Sequence, residues 1–558
     1  MNTAVYLFYK QFMGRISKLN KIIIFNLLII NLSIVFAIGR TEVVGYTKLE
    51  QLCGVVYTYC RVDQQRHNIH VYWMWQDEVS ANRNQRYNFY DYSTHSWAWT
   101  DTGKKVFPIR SGYGSMDYDP ITGCGVASTQ HTGSSGVYVE LARDQALGAG
   151  LFQYSLMPVG FEWPIVAVTH NQAIHIAAIS QLDGDSLWYV RNYPFGTWGT
   201  PIRMANWGND PMFPSQVINA SKNSNKVIIS WEDNGTRPEI GYYRLSNDGG
   251  VNWQPQVQLP FPPAFSGETL PSFMIAGLYP MFDNNDNLHI VSQVGPQIGT
   301  NQPMWPAEIW HYSPVNNPVW SRIARRGADT IGGSAPFPVG YNAIAACRAS
   351  IIQNPANNNL YVSWEAFDSL NYEPLTGLLR ADIWISESRN NGLTWQTPLR
   401  ITTPNTTSKR YPCVGGIVDD SLVLAYMIDS IAGFWIMSQG RETWNPIVVH
   451  RIPIPLNGVE DQPAFVSNHP ILIAEPNPFI FHTAIRYSLP AQSKVSLEIF
   501  DASGRLVRTL VNELKRSGVY TTTWNGINYK DAEVKSGVYF FTLKTSNKSI
   551  TNKIIKTK

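Results

Sequence analysis

The sequence predicts an all-β chain: a β-propeller of seven blades, with six as the alternative count, followed by an immunoglobulin-like β-sandwich. Three observations carry that expectation. Aromatic residues reach 13% against only 15% charged, with 41 Gly and 35 Pro, a balance suited to many short strands joined by tight turns. A turn rich in Asp, Asn or Gly leads into a strand seven times along the chain. Past Asn468 the texture changes to alternating strands separated by polar turns, the pattern of a small sandwich.

The N-terminal segment comes first. Lys10, Arg15, Lys18 and Lys21 precede an apolar run from Ile22 to Val35 that ends Val35-Phe36-Ala37, with no acid among these residues. Such a pattern predicts a signal peptide over residues 1–37. Asn26, Asn31 and Ser33 interrupt a run already short for a span of about 20 residues, so no membrane span is expected once it is cleaved. Its removal takes four positive charges from the formal +3 and leaves the mature chain at −1. A surface so nearly neutral gives no electrostatic reason to expect nucleic acid or anionic lipid as partner. Cys53, Cys60, Cys124, Cys347 and Cys413 are scattered without CxxC or Cys/His spacing, so neither a metal site nor a cofactor is expected.

Residues 45–465 hold the repeat. Its turns lead into Asn68-Ile69-His70-Val71, Gly123-Cys124-Gly125-Val126, Ala173-Ile174-His175-Ile176, Lys226-Val227-Ile228-Ile229, Asn287-Leu288-His289-Ile290, Asn359-Leu360-Tyr361-Val362 and Ser421-Leu422-Val423-Leu424. Steps of roughly 50 to 70 residues match four-stranded propeller blades. Most repeats close on a hairpin ending in Trp, at Trp99, Trp198, Trp253, Trp320, Trp395 and Trp444.

Two hairpins are more specific: Ser246-Asn247-Asp248-Gly249-Gly250-Val251-Asn252-Trp253 and Ser388-Arg389-Asn390-Asn391-Gly392-Leu393-Thr394-Trp395. They resemble the Asp box, S/T-x-D-x-G-x-x-W, of the sialidase-like BNR-repeat propellers. Ser246, Asp248, Gly250, Trp253, Ser388, Asn390, Gly392 and Trp395 are therefore read as a folding device: hydroxyl and carboxylate or amide oxygen accept turn N–H groups, Gly supplies positive φ, and the indole wedges against a neighbouring sheet. Strand alternation puts the loops between second and third strands on the face opposite these hairpins, and ligand chemistry is expected there. The family's Arg-Ile-Pro signature has a counterpart only at Arg451-Ile452-Pro453, after the seventh repeat, and reads as strand and turn.

Residues 470–558 form the last unit. Asn477-Pro478-Phe479, Ile485-Arg486-Tyr487, Ile499-Phe500-Asp501, Gly504-Arg505, Gly518-Val519-Tyr520, Trp524-Asn525-Gly526 and Gly537-Val538-Tyr539-Phe540 resemble the type A C-terminal sorting domain of the type IX secretion system, which shares the FlgD-like Ig sandwich. The basic end, Lys553, Lys556 and Lys558, fits that family. The resemblance implies Sec passage, then export to the outer-membrane cell surface or the medium of a Gram-negative-type bacterium, with the type IX machinery as partner.

Second strands end in acidic clusters: Trp75-Gln76-Asp77-Glu78, Trp231-Glu232-Asp233-Asn234 and Trp364-Glu365. Asp77, Glu232, Asp233, Glu365 and Arg348 are the candidates for acid/base or anion-holding work. Recurrence in several repeats argues instead for structural duty. The expectation is an exported propeller that binds an extracellular glycan or surface ligand, or serves as scaffold; the alternative is a sialidase-type glycoside hydrolase.

Overall fold

The computed structural model describes residues 39–558 except 51–58, 78–81, 101, 134–135, 181–185, 206–214, 234, 266–269, 300–301, 328–337, 457–471, 476–478, 480–482, 490–491, 516–517, 531, 547–548 and 558. The predicted signal peptide, Cys53, Glu78, Asn234, Asn477, Pro478 and Lys558 thus lie outside the described residues. The chain divides into two compact units, Met1–Pro455 and Leu456–Lys558. Among the described residues no helix is long and apolar enough to cross a membrane.

The first unit is a β-propeller. Its fourth blade shows the plan: Val217–Ala220, Val227–Asp233, Ile240–Ser246 and Val257–Gln258 pair antiparallel in chain order. Seven such sheets occur among the described residues. In the first blade the outer strand is split into Ser96–Trp97 and Lys104–Lys105, both against Asn84–Asp91. In the seventh, Ser408–Val418, Ser421–Asp429 and Asn445–Pro453 are completed by the N-terminal strand Arg40–Thr47, in register from Arg40 opposite Arg451 to Thr47 opposite Asn445. The first strand of each blade contacts that of the next, and Ser408–Val418 returns to Cys60–Val62, closing the ring.

The repeating turn has one cause. In five of the seven blades a polar side chain at the end of the first strand accepts the N–H groups that follow: Asp63 Oδ1 from Gln65 at 3.0 Å, Asp119 Oδ1 from Ile121 at 2.9 Å, Ser221 Oγ from Asn223 at 3.0 Å, Asp283 Oδ1 from Asn287 at 2.7 Å, Asn354 Oδ1 from Ala356 at 2.9 Å. Two residues before six of the seven second strands the backbone turns left-handed, at His67, Gly123, Gln172, Asp286, Asn358 and Asp419; Gly, Asn and Asp tolerate that region best, which is why these types recur. The second strands are then buried on both faces between adjacent blades, Ile174–Ser180 and Leu288–Gln297 along their whole length, and so read as near-continuous apolar runs.

The two specific hairpins share one geometry. Ser246 Oγ accepts Gly250 N–H at 2.9 Å and Asp248 Oδ1 accepts Asn252 N–H at 2.9 Å; Ser388 Oγ accepts Gly392 N–H and Asn390 Oδ1 accepts Thr394 N–H, again at 2.9 Å. Trp253 packs edge-on to Tyr189 of the preceding blade at 4.8 Å, and Trp395 to His311 at 5.4 Å. The recurring His of the second strands completes this layer: His70 Nδ1 lies 2.8 Å from Tyr87 Oη, His175 Nδ1 2.8 Å from Tyr189 Oη, and His289 Nδ1 2.9 Å from His311 Nε2. Burial lowers His70 to about 4 and His175 to about 3, so both rings are neutral packing groups at neutral pH.

The second unit is a two-sheet sandwich. Leu472–Glu475, Thr483–Leu489 and Gly518–Trp524 form one sheet; Leu506–Lys515, Ser493–Asp501, Gly537–Lys544 and Ser549–Lys556 form the other, in that spatial order. Alternate residues Val495, Leu497 and Ile499 meet Ile485, Tyr487, Leu489 and Trp524 in its core. Asp501 Oδ1 accepts the Ser503 and Arg505 N–H groups, both at 3.0 Å, which fixes the turn of Asp501-Ala502-Ser503-Gly504-Arg505.

Candidate functional site

The acidic residues singled out from the sequence sit where the second strands end, opposite the hairpins of Trp253 and Trp395. Two of them belong to a series. The sixth residue of four second strands accepts a main-chain N–H from the next blade: Gln130 Oε1 from Trp163 at 2.5 Å, Glu232 Oε1 from Gly277 at 2.7 Å, Gln293 Oε1 from Arg348 at 2.5 Å, and Glu365 Oε2 from Tyr411 at 2.7 Å. Each receiving strand carries an irregularity in its pairing at that point, and Trp163, Arg348 and Tyr411 have φ of 51°, 58° and 61°. A bulge turns one N–H out of the ladder, and the preceding blade satisfies it. Asp77 and Asp233 lie elsewhere, in the first and fourth blades: Asp77 Oδ2 accepts Asn82 Nδ2 at 2.8 Å, and Asp233 Oδ1 accepts Gly235 N–H at 3.0 Å. The structure does not bring the five candidates together; only Arg348 and Glu365 meet.

Around Glu365 the inner ends of the sixth and seventh blades build a buried polar cluster. Its carboxylate receives the Arg348 guanidinium, Arg410 Nε at 3.2 Å and Cys347 Sγ at 3.4 Å. Both guanidiniums also face the Tyr411 ring, at 4.8 and 5.0 Å. Burial raises the carboxyl's pKa, but the two arginines and the Tyr411 N–H outweigh it and hold Glu365 below its ordinary range. Glu365 is therefore a counter-ion at neutral pH.

Two further carboxyls on this face were not found from the sequence. Glu50, just past the N-terminal strand, is 1% exposed and its Oε2 accepts Trp435 N–H at 2.5 Å; Asp429 ends the second strand of the seventh blade, fully buried, with Oδ1 accepting Ile431 N–H at 3.1 Å. Burial, then the neighbouring Asp429, pushes Glu50 up to about 9, and burial lifts Asp429 to about 7 against the pull of Arg410. Only the position of Asp429, matching the acidic strand ends of other repeats, was a usable sequence signal.

The same face carries exposed aromatic rings: Tyr341 at 42% exposure from the loop before the sixth blade, Tyr372 at 44% from the end of its second strand, and Trp444 at 43% from the loop of the seventh blade. On the opposite side, level with the hairpins, a cavity of about 320 Å³ lies on the ring axis among the first strands and their turns. Lys222 Nζ meets Asp117 Oδ2 at 2.6 Å and donates to Val168 O at 2.7 Å, while Arg61 Nε stands 3.6 Å from Asp117 Oδ1. Asp117 also accepts Val168 N–H at 2.8 Å, so this one carboxylate gathers two cations and ties the first four blades. Arg451 of the Arg-Ile-Pro segment lies in a strand, its guanidinium 4.2 Å from the Tyr90 ring and Nε 3.4 Å from Glu42. Among the described residues no group of three or more His, Cys, Asp or Glu is placed to hold a metal ion.

Comparison with curated proteins finds no match. Among solved structures, the chain is similar to polysaccharide lyase Uly1, at 10% identity over 71% of this chain and 90% of that one, TM-score 0.42. It is also similar to the BP39L lectin from Burkholderia pseudomallei, at 10% identity over 74% and 98%, TM-score 0.39, and to the Hadza microbial sialidase Hz136, at 11% identity over 67% and 73%, TM-score 0.30. Likenesses at this level say nothing of what this chain binds. In the second unit, residues 481–549 match the family described as FlgD Ig-like domain.

Proposed function

We propose that this is an exported propeller that binds an extracellular glycan on the face opposite its Trp253 and Trp395 hairpins, and that its C-terminal sandwich is a sorting domain read by a type IX secretion system. The observation that carries the binding reading is the set of exposed rings, Tyr341, Tyr372 and Trp444, gathered on that one face. A flat aromatic ring half out of water offers its π-face to the apolar C–H face of a pyranose, at little conformational cost. The carboxylates of Glu232 and Glu365, by contrast, are fully buried and occupied by main-chain N–H groups, which supports binding over hydrolysis by those residues. The test is a glycan array probed with the mature chain and with Trp444→Ala and Tyr372→Ala. Binding to at least one glycan, weakened by either change, is expected; an array with no binder would end the reading. Export is tested by comparing the full chain with one ending at Pro455 in a host that has the secretion system; equal surface delivery of both would remove the sorting role.

A further inference from the structure

The first blade carries a concave surface of about 450 Å³ that none of the readings above uses. It is lined by Trp75, Arg83, Asn84, Arg86, Lys105 and Arg110. All stand at the end of the second strand, the start of the third, or the end of the outer strand and the segment after it, hence on the face opposite the hairpins. Among the described residues that line it are four cations and no carboxylate; Asn82, also in the lining, donates to Asp77 Oδ2 at 2.8 Å.

Among the described residues no carboxylate pairs with Arg83, Arg86 or Lys105. Arg86 lies over the Trp75 ring at 4.6 Å, Arg83 over the Tyr113 ring at 4.8 Å, and Lys105 Nζ donates to the Pro108 carbonyl at 3.0 Å. The aromatic rings fix the guanidinium planes without neutralising them. Arg83 Nε, Arg86 Nε and Trp75 Nε1 are buried donors with no partner. Burial lowers the pKa of Arg83, and its like-charged neighbour Arg110 lowers it further. Such an arrangement destabilises the empty protein, and an anion accepting those N–H bonds would relieve it.

We infer that this groove binds the carboxylate or sulfate groups of an acidic polysaccharide, with Arg83 and Arg86 as the paired anion-holding forks. The volume suits one or two sugar residues rather than a long polymer groove. Arg86 lies over the Trp75 indole and Trp444 stands tilted beside it at 6.4 Å, so the groove offers charge and N–H donors more than a stacking platform. With the mature chain near neutral overall, the recognition is confined to this site and is not a general attraction to polyanions. The inference rests on the glycan-binding reading and adds the substrate class and its residues.

The test uses the mature full chain in affinity electrophoresis and calorimetry against polygalacturonate, dextran sulfate, neutral dextran and single-stranded DNA. Binding to polygalacturonate or dextran sulfate, whichever carries the recognised group, is expected to exceed binding to dextran at least tenfold and to weaken with added salt. It is expected to fall at least tenfold in Arg83→Gln and Arg86→Gln. Lys105→Gln and Arg110→Gln, at exposed positions, should weaken it several-fold and serve where the changes at the half-buried Arg83 and Arg86 impair folding. Acidic glycans that bind the variants as well as the wild type, or do not bind at all, would overturn the inference, as would DNA bound equally well through the same residues. Neutral glycans that still bind through Trp444 in that event would leave the broader reading standing; the loss of all glycan binding would remove both.

Discussion

Replacement of Glu365 by Gln tests whether that carboxylate is a counter-ion of the fold. The amide keeps an oxygen for the Tyr411 N–H, which Glu365 now accepts at 2.7 Å, and alters no volume. What it removes is the negative charge between Arg348 and Arg410, each 3% exposed on its side chain. Two buried guanidiniums beside the Tyr411 ring would then be left without their shared counter-ion. Breaking a buried pair by removing one partner costs about 3–5 kcal/mol. For a unit of roughly 400 residues, with an unfolding entropy of about 2.1 cal/mol/K per residue, the melting temperature should fall by about 3–6 °C. Differential scanning calorimetry reads this directly, and Glu365→Gln/Arg348→Met, which restores the balance of charge, should recover at least ~1 kcal/mol. An unchanged melting temperature in the single variant, with any ligand binding or turnover lost, would refute the reasoning and return Glu365 to the list of groups that act on a ligand.

Three other outcomes are expected. Glu50 keeps its proton in the folded state up to about 9 and Asp429 up to about 7, while in the unfolded chain both ionise near their ordinary values. The folded state therefore holds more protons across that window, and stability must fall as pH rises from about 5 toward 9, by up to ~1.4 kcal/mol per pH unit for each retained proton. Glu50→Gln should flatten the upper part of that slope in denaturant titrations, and an unaltered slope would show that Glu50 ionises normally. Gly250→Ala should cost more than about 2 kcal/mol, since φ is +79° and the added Cβ would stand 1.7 Å from Tyr189 Oη, whereas Gly249→Ala meets nothing nearer than 3.9 Å and should lose only about 1 kcal/mol of backbone strain. Equal losses in thermal melts would mean that the hairpin does not wedge against Tyr189. Finally, Gln293→Leu should destabilise the ring by roughly 1–3 kcal/mol by leaving the Arg348 N–H unsatisfied, and a neutral result would show that water replaces the amide.

What the sequence disclosed was what local physics writes. The turns between first and second strands, the hairpins ending in Trp253 and Trp395, and the alternation of the C-terminal strands each depend on residues a few positions apart, so their composition betrays them. The first strands were not legible: Cys60–Val62 and Met116–Tyr118 have three residues each, too few for a period to show. The acceptor series from Gln130 to Glu365 was visible only as a recurrence of acidic strand ends. Its purpose depends on bulges in the following blade, which no spacing within a repeat reveals. Glu50 and Asp429 fall at opposite ends of the unit and come together because the N-terminal strand completes the last blade. That closure could have been guessed from a propeller count, but not the pairing of those two carboxyls.

The same closure bears on where a ligand would act. The acceptor series runs through the second, fourth, fifth and sixth blades; aligning Leu422 with Leu360, the equivalent positions in the first, third and seventh are Met74, Ile179 and Met427, whose side chains carry no oxygen to accept an N–H. Two of these three flank the seam between the seventh and first blades, where the ring is held by strand pairing of its two ends and not by the repeated device. There the loop face is freed from the symmetry of the repeat. Trp75 and Trp444 meet across this seam at 6.4 Å, Lys48 lies over the Trp444 ring at 5.2 Å, and Glu50 and Asp429 are buried beside it. A function that a symmetric ring cannot supply has to be built where the symmetry lapses, and Arg83 and Arg86 of the first blade and the exposed rings of the sixth and seventh lie on the two sides of that junction. If binding by the full chain proved instead to depend on the third and fourth blades, the link between closure and ligand site would fail even with the propeller intact.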